Sequence, residues 1–127
     1  MFDEEKFSKW LETGLQTMKD ENAYCLNLYD EDDEWTCELV ATNKFYKDGN
    51  DWCFDETKVY KREKPFVLIT KYSQGNYEKI LNEFSSSLQN IICNNNNIKN
   101  IITNKTFAYG FVDGELYFLD TCENELC

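Results

Sequence analysis

The sequence predicts an α+β domain, a mainly antiparallel sheet with two amphipathic helices packed on it. Three observations carry this reading. Residues 2–19 and 76–93 repeat apolar side chains at helical spacing. Short apolar-aromatic runs flank two turn signals, each of which reads as a hairpin. Strands linked by hairpins rather than alternating with helices point to α+β architecture. At 127 residues, 42% hydrophobic and 16% aromatic, the chain can bury one core without metal or disulfide staples. It reads as a single domain over 1–127, with a polar tail from about 121 to 127.

The first helix places Phe7, Trp10, Leu11, Leu15 and Met18 on one face, with Asp3, Glu4 and Glu5 at the positive end of its dipole. Gly14 opposes it by about 1 kcal/mol relative to Ala. Next, Ala23–Tyr29 and Trp35–Ala41 flank the acidic run Asp30-Glu31-Asp32-Asp33-Glu34, a hairpin with a charged loop. Trp35, Cys37 and Leu39 alternate with Thr36, Glu38 and Val40, which assigns Trp35 to the core. Residues 42–64 are irregular: a turn signal, Asp48-Gly49-Asn50-Asp51, precedes Trp52-Cys53-Phe54. Lys58, Lys61, Arg62 and Lys64 then read as a solvated strand face or loop, too few to argue for nucleic acid. Pro65 opens a β-prone run, Phe66–Thr70.

The second helix carries Tyr77, Ile80, Leu81, Phe84, Leu88, Ile91 and Ile92 on one stripe, with Ser73 or Asn76 available as N-cap. Four consecutive asparagines, Asn94–Asn97, favour turn geometry and read as a plain loop that ends it. In the closing hairpin, Asp113-Gly114 suits a two-residue type I′ turn. That turn sets Phe111 opposite Leu116, Tyr109 opposite Phe118, Gly110 opposite Tyr117 and Ala108 opposite Leu119. This hairpin is expected at the centre of the sheet, with an aromatic ring covering the bare backbone of Gly110.

The formal charge is −11, and all of it resides in residues 1–56, where sixteen acidic residues meet five basic ones; residues 57–127 hold eight of each. Such a field attracts a basic partner and repels nucleic acid and anionic lipid. It also serves plain solubility. No apolar run approaches the ~20 residues of a membrane span. The opening MFDEEKFSKW has neither a basic nor an apolar leader region, so the expectation is a cytoplasmic chain with free thiols. The even count of six Cys leaves a disulfide-bonded alternative open.

Little in the sequence points to catalysis. The chain has no His, which removes the commonest general base and the Ser-His and Cys-His pairs. There is no C-x-x-C pair and no phosphate-binding glycine loop. Asp30, Asp32 and Glu34 begin like a calcium loop, but Trp35 stands where glycine is needed and Ala41 where the bidentate Glu belongs. No metal or cofactor is therefore expected. Protein binding remains, because exposed aromatics beside charges supply affinity and association rate. Two segments show that mixture: Tyr29, Asp30, Glu31, Asp32, Asp33 and Glu34, and Asp48, Asp51, Trp52, Asp55 and Glu56. Trp52, which follows a turn, can equally be a core residue.

The strand "WTCEL", then "NDWCFDE", then the closing "YGFVDGELYFLD" hairpin, resembles small acidic bacterial immunity proteins of polymorphic-toxin and contact-dependent-inhibition systems. The likeness is spread over residues 23–120 and rests on short structural motifs. It implies a non-catalytic α+β inhibitor that binds the enzymatic domain of a cognate toxin. A toxin acting on nucleic acid would offer a basic cleft that carboxylates can occupy as phosphates do. Two alternatives stand beside this: a bacterial regulatory or stress adaptor, and a small-ligand binder or enzyme using carboxylates in a deep polar pocket.

Overall fold

The computed structural model describes residues 3–30, 34–43, 58–60, 66–70, 77–112 and 114–122. In chain order these form α1 (Glu4–Thr17), β1 (Ala23–Asp30), β2 (Glu34–Thr42), β3 (Lys58–Tyr60) and β4 (Phe66–Thr70). They continue with α2 (Tyr77–Cys93), α3 (Asn96–Ile102), β5 (Thr106–Phe111) and β6 (Tyr117–Phe118). The fold is α+β, and the sheet is mainly antiparallel. The strand order is β3-β2-β1-β5-β6, with β4 pairing the same side of β2 as β3, further along that strand.

The first hairpin forms as its pattern requires. Cys25 pairs with Val40, Leu26 with Leu39 and Leu28 with Cys37, so alternate residues share a face. One face of β1, β2 and β5 carries Tyr24, Leu26, Leu28, Trp35, Cys37, Leu39, Phe107 and Tyr109. These pack with Phe7, Leu11 and Leu15 of α1, Phe84 and Leu88 of α2, and Ile98 and Ile102 of α3 in one core. Phe7 is its aromatic hub, with ring centroids 5.1 Å from Phe66, 5.4 Å from Trp10 and 5.8 Å from Phe84. The pairs with Phe66 and Phe84 are edge-to-face, and such pairs add about 0.5–1.5 kcal/mol beyond burial. Gly14 lies on the buried face of α1. Asp3 caps that helix, accepting from the Lys6 amide at 3.0 Å.

Four expectations are corrected. The asparagine run is not a plain loop: α2 ends at Cys93, and Asn95 caps a third helix by accepting from the Ile98 amide at 3.1 Å. The same side chain donates to Ser8 Oγ at 3.1 Å and to Glu12 Oε1 at 2.8 Å, tying α3 to α1. Secondly, the closing hairpin is not central. β1 occupies the centre, pairing antiparallel with β2 and parallel with β5, while β6 forms an edge.

Thirdly, that hairpin pairs Ala108 with Phe118 and Tyr109 with Tyr117, one residue out of the expected register. β6 starts only at Tyr117, so the connection is longer than a two-residue turn. Gly110 takes φ +158° with the Glu115 carbonyl oxygen so close that a Cβ would overlap it. The bare glycine thus admits backbone where the sequence suggested a ring, and Tyr117 stacks instead on Tyr109 at 5.8 Å. Finally, the thiols are not all free. Cys25, Cys37 and Cys122 carry thiols, but Cys93, half-exposed at the end of α2, is disulfide-bonded.

Candidate functional site

The strands and α2 meet at an open end of the core layer, and a cavity of about 480 Å³ forms there. Its apolar part comes from Leu28 on β1, Phe111 and Val112 at the end of β5, Leu81 on α2 and Tyr117 on β6. Its charged part comes from Asp30, Glu78 and Glu115. Each has a local reason to be there. Asp30 is the last residue of β1 and shares the helix-side face with Leu26 and Leu28, four and two residues earlier. Glu78 sits in the first turn of α2, where a carboxylate suits the helix dipole. Glu115 lies in the β5–β6 connection, and its carbonyl is seated over Gly110.

All three carboxylate residues are exposed, and no Lys or Arg lines the cavity among the described residues. No three His, Cys, Asp or Glu side chains among the described residues come together closely enough to hold a metal ion. The carboxylates therefore border an apolar floor rather than focus on one point. Such a recess suits an extended organic cation: a stem on Leu28, Leu81 and Phe111, and a charged head at the rim. Tyr117 stands at its wall, 40% exposed. Phe118 is 53% exposed and, one residue on, faces the other side of the sheet.

The structure divides the first predicted contact segment. Asp30 reaches the cavity. Tyr29, its neighbour, faces the opposite side of the sheet and donates to Glu38 Oε1 at 3.0 Å. Glu34 opens β2, half-buried, where the backbone pairs with Thr70 of β4. Trp35 is 2% exposed and packs edge-on against Phe111 at 5.5 Å, a core residue as its alternation implied. Glu31, Asp32 and Asp33, and the whole second segment of Asp48, Asp51, Trp52, Asp55 and Glu56, lie outside the described residues. Glu78 and Glu115 escaped the sequence reading altogether.

Three groups elsewhere have shifted proton affinities. Burial, reinforced by Glu38, pushes the Cys37 thiol well up, which keeps it protonated and unreactive. Far along β1, the Tyr24 hydroxyl donates to the Met18 carbonyl at 2.8 Å, and Lys105 Nζ lies 3.3 Å from that hydroxyl and donates to the Lys19 carbonyl. Burial raises the Tyr24 phenol, helped by Glu21 and Asp20; burial lowers Lys105, opposed by the same two acids. This cluster pins the α1–β1 connection to the start of β5.

Comparison with known protein families, with curated proteins and with solved structures finds no match. No helix among the described residues is long and apolar enough to cross a membrane.

Proposed function

We propose that this chain is a non-catalytic protein-binding domain, an immunity-type inhibitor that occupies the basic surface of a cognate toxin. One observation carries the reading: the cavity between β1, α2 and the β5–β6 connection is bordered by Asp30, Glu78 and Glu115, with no cation among its described lining residues. The −11 charge of residues 1–56 gives the chain the same overall sign. Both features favour fast, salt-sensitive association with a basic protein. The resemblance to small acidic immunity proteins supports the choice of a toxin as partner.

The test is capture of the protein encoded just upstream, measured by interferometry at low and at physiological salt. Binding should weaken as the Debye length falls to about 8 Å at 0.15 M. Two charge reversals map the surface: Asp30, Asp32 and Asp33 to Lys in one variant, and Asp51, Asp55 and Glu56 to Lys in the other. Absence of binding at low salt, or full binding by both variants at both salts, refutes the reading. The cavity also favours a second reading, a small-ligand binder, because its volume falls within the ~300–1,000 Å³ typical of ligand sites. Saturable binding of a small amine with no protein partner would select it.

A further inference from the structure

We infer that the cavity is a docking recess for one arginine side chain projecting from a protein partner. The inference rests on the proposed basic protein partner and specifies how that partner is gripped. Three features of the recess select this occupant. Its floor of Leu28, Leu81 and Phe111 is apolar, which suits a methylene stem and excludes a bare inorganic cation as the best fit.

The rim charges are spread out rather than gathered into an ion-sized set. A guanidinium spreads its charge over a planar fork of five N–H donors and can answer carboxylates from more than one side. A lysine ammonium is a compact, more strongly hydrated point charge. The guanidinium plane also stacks on aromatic faces, and Tyr117 and Phe111 supply two rings on the lining. The N-terminus of α2 by itself would favour an anion, but Glu78 in its first turn offsets that field.

The choice of a protein over a free small cation follows from what surrounds the recess. Tyr117, which lines the recess, leaves 40% of its surface in solvent on a two-residue edge strand. β6 pairs only with β5 among the described residues. A small cation would fill the recess and leave the rest of this ring wet. A protein surface around the arginine covers Tyr117 with the recess, giving an aromatic anchor beside a charged one.

The test uses the intact chain and three probes: acetyl-arginine amide, the neutral isostere acetyl-citrulline amide, and a nine-residue peptide with one central arginine flanked by apolar residues. Amide chemical shifts of Leu28, Val112 and Gly114 report on the recess. Acetyl-arginine amide should move these signals and the citrulline probe should bind at least about ten-fold more weakly. Neutralising the rim with Glu78→Gln plus Glu115→Gln should weaken the arginine probe about ten-fold, which is ~1.4 kcal/mol. The peptide should bind at least about ten-fold more tightly than the capped amino acid, and Tyr117→Ala should remove most of that gain.

Equal binding of arginine and citrulline probes overturns the charge argument. Shifts centred away from the recess overturn the site. A peptide no tighter than the capped arginine makes this a small-cation site and overturns docking. None of these probes contains the cognate partner. Salt-sensitive capture of that partner by the Glu78→Gln, Glu115→Gln variant at full strength would refute the recess while leaving the proposed function intact.

Discussion

Asn95 is the residue on which the third helix should depend, and its substitution tests the fold where the sequence reading failed. In Asn95→Ala the Ile98 amide loses its cap, a change that costs about 1 kcal/mol. The donor bonds to Ser8 Oγ at 3.1 Å and Glu12 Oε1 at 2.8 Å vanish as well. A neutral hydrogen bond contributes about 1 kcal/mol and one to a charged group about 1.5–3, with half-buried sites toward the low end. The total is about 2–3 kcal/mol after allowing for solvent replacing part of each bond. For a domain of this size that lowers Tm by roughly 10 °C.

The assay is urea unfolding followed by helical circular dichroism, with two companion variants. Asn97→Ala removes only an exposed bond to Glu12 at 3.3 Å and should cost no more than about 0.5 kcal/mol. Asn95→Asp keeps a capping oxygen but loses both donors and faces the Glu12 carboxylate. It should cost about 1–2 kcal/mol at neutral pH. If Asn95→Ala unfolds within about 0.5 kcal/mol of the parent chain, the bridging role is wrong, and α3 is held by Ile98 and Ile102 alone.

Two other outcomes follow from the fold. Gly110→Ala should destabilise by well over 1 kcal/mol, because φ +158° and the Glu115 carbonyl both reject a Cβ, whereas Gly114→Ala meets Phe111 Cβ at an ordinary 3.6 Å and should be nearly neutral; equal denaturation midpoints for the two would contradict the register. Stability should fall at alkaline pH. Cys37 and Tyr24 are raised in the fold, so their contribution is complete below the ordinary values of 9.0 and 10.0 and is lost as pH climbs through the folded ones. Lys105, lowered by burial, works in the opposite direction and softens the slope. Cys37→Ala should flatten the decline that begins near pH 9; an unchanged pH profile of unfolding free energy would refute the assignment.

The elements written in a short period were legible. α1, α2 and the β1–β2 hairpin follow from apolar spacing alone, and Phe84 and Leu88, both 0% exposed, lie where the stripe of α2 puts them. The third helix had a signal too. Ile98, Ile101 and Ile102 stand at i, i+3 and i+4 after an asparagine able to cap, but the turn preference of four asparagines outweighed it. The parallel pairing of β1 with β5 has no local signature, since it joins strands separated by two helices and three other strands among the described residues. The hairpin register departs from the local Asp-Gly rule because Gly110 admits the Glu115 backbone from across the connection.

The candidate site shows why charge counted along a chain predicts a surface poorly. Asp30 belongs to the segment carrying the whole −11, and its acidic run drew attention to it. Glu78 and Glu115 come from residues 57–127, where acids and bases cancel. Cancellation in a sum says nothing about position, because an interaction between charges fades within about 8–10 Å in physiological salt. The turn after β5 and the first turn of α2 bring those two residues to the end of β1, while no cation of the neutral half lines the cavity among the described residues. Neighbouring Tyr29 and Asp30, adjacent in sequence, meanwhile face opposite sides of the sheet. The field a partner meets is therefore set by topology: one carboxylate from the acidic half and two from the neutral half. For that reason Glu78→Gln with Glu115→Gln, which leaves the charge of residues 1–56 unchanged, should weaken an arginine at this recess as much as changes within the acidic run.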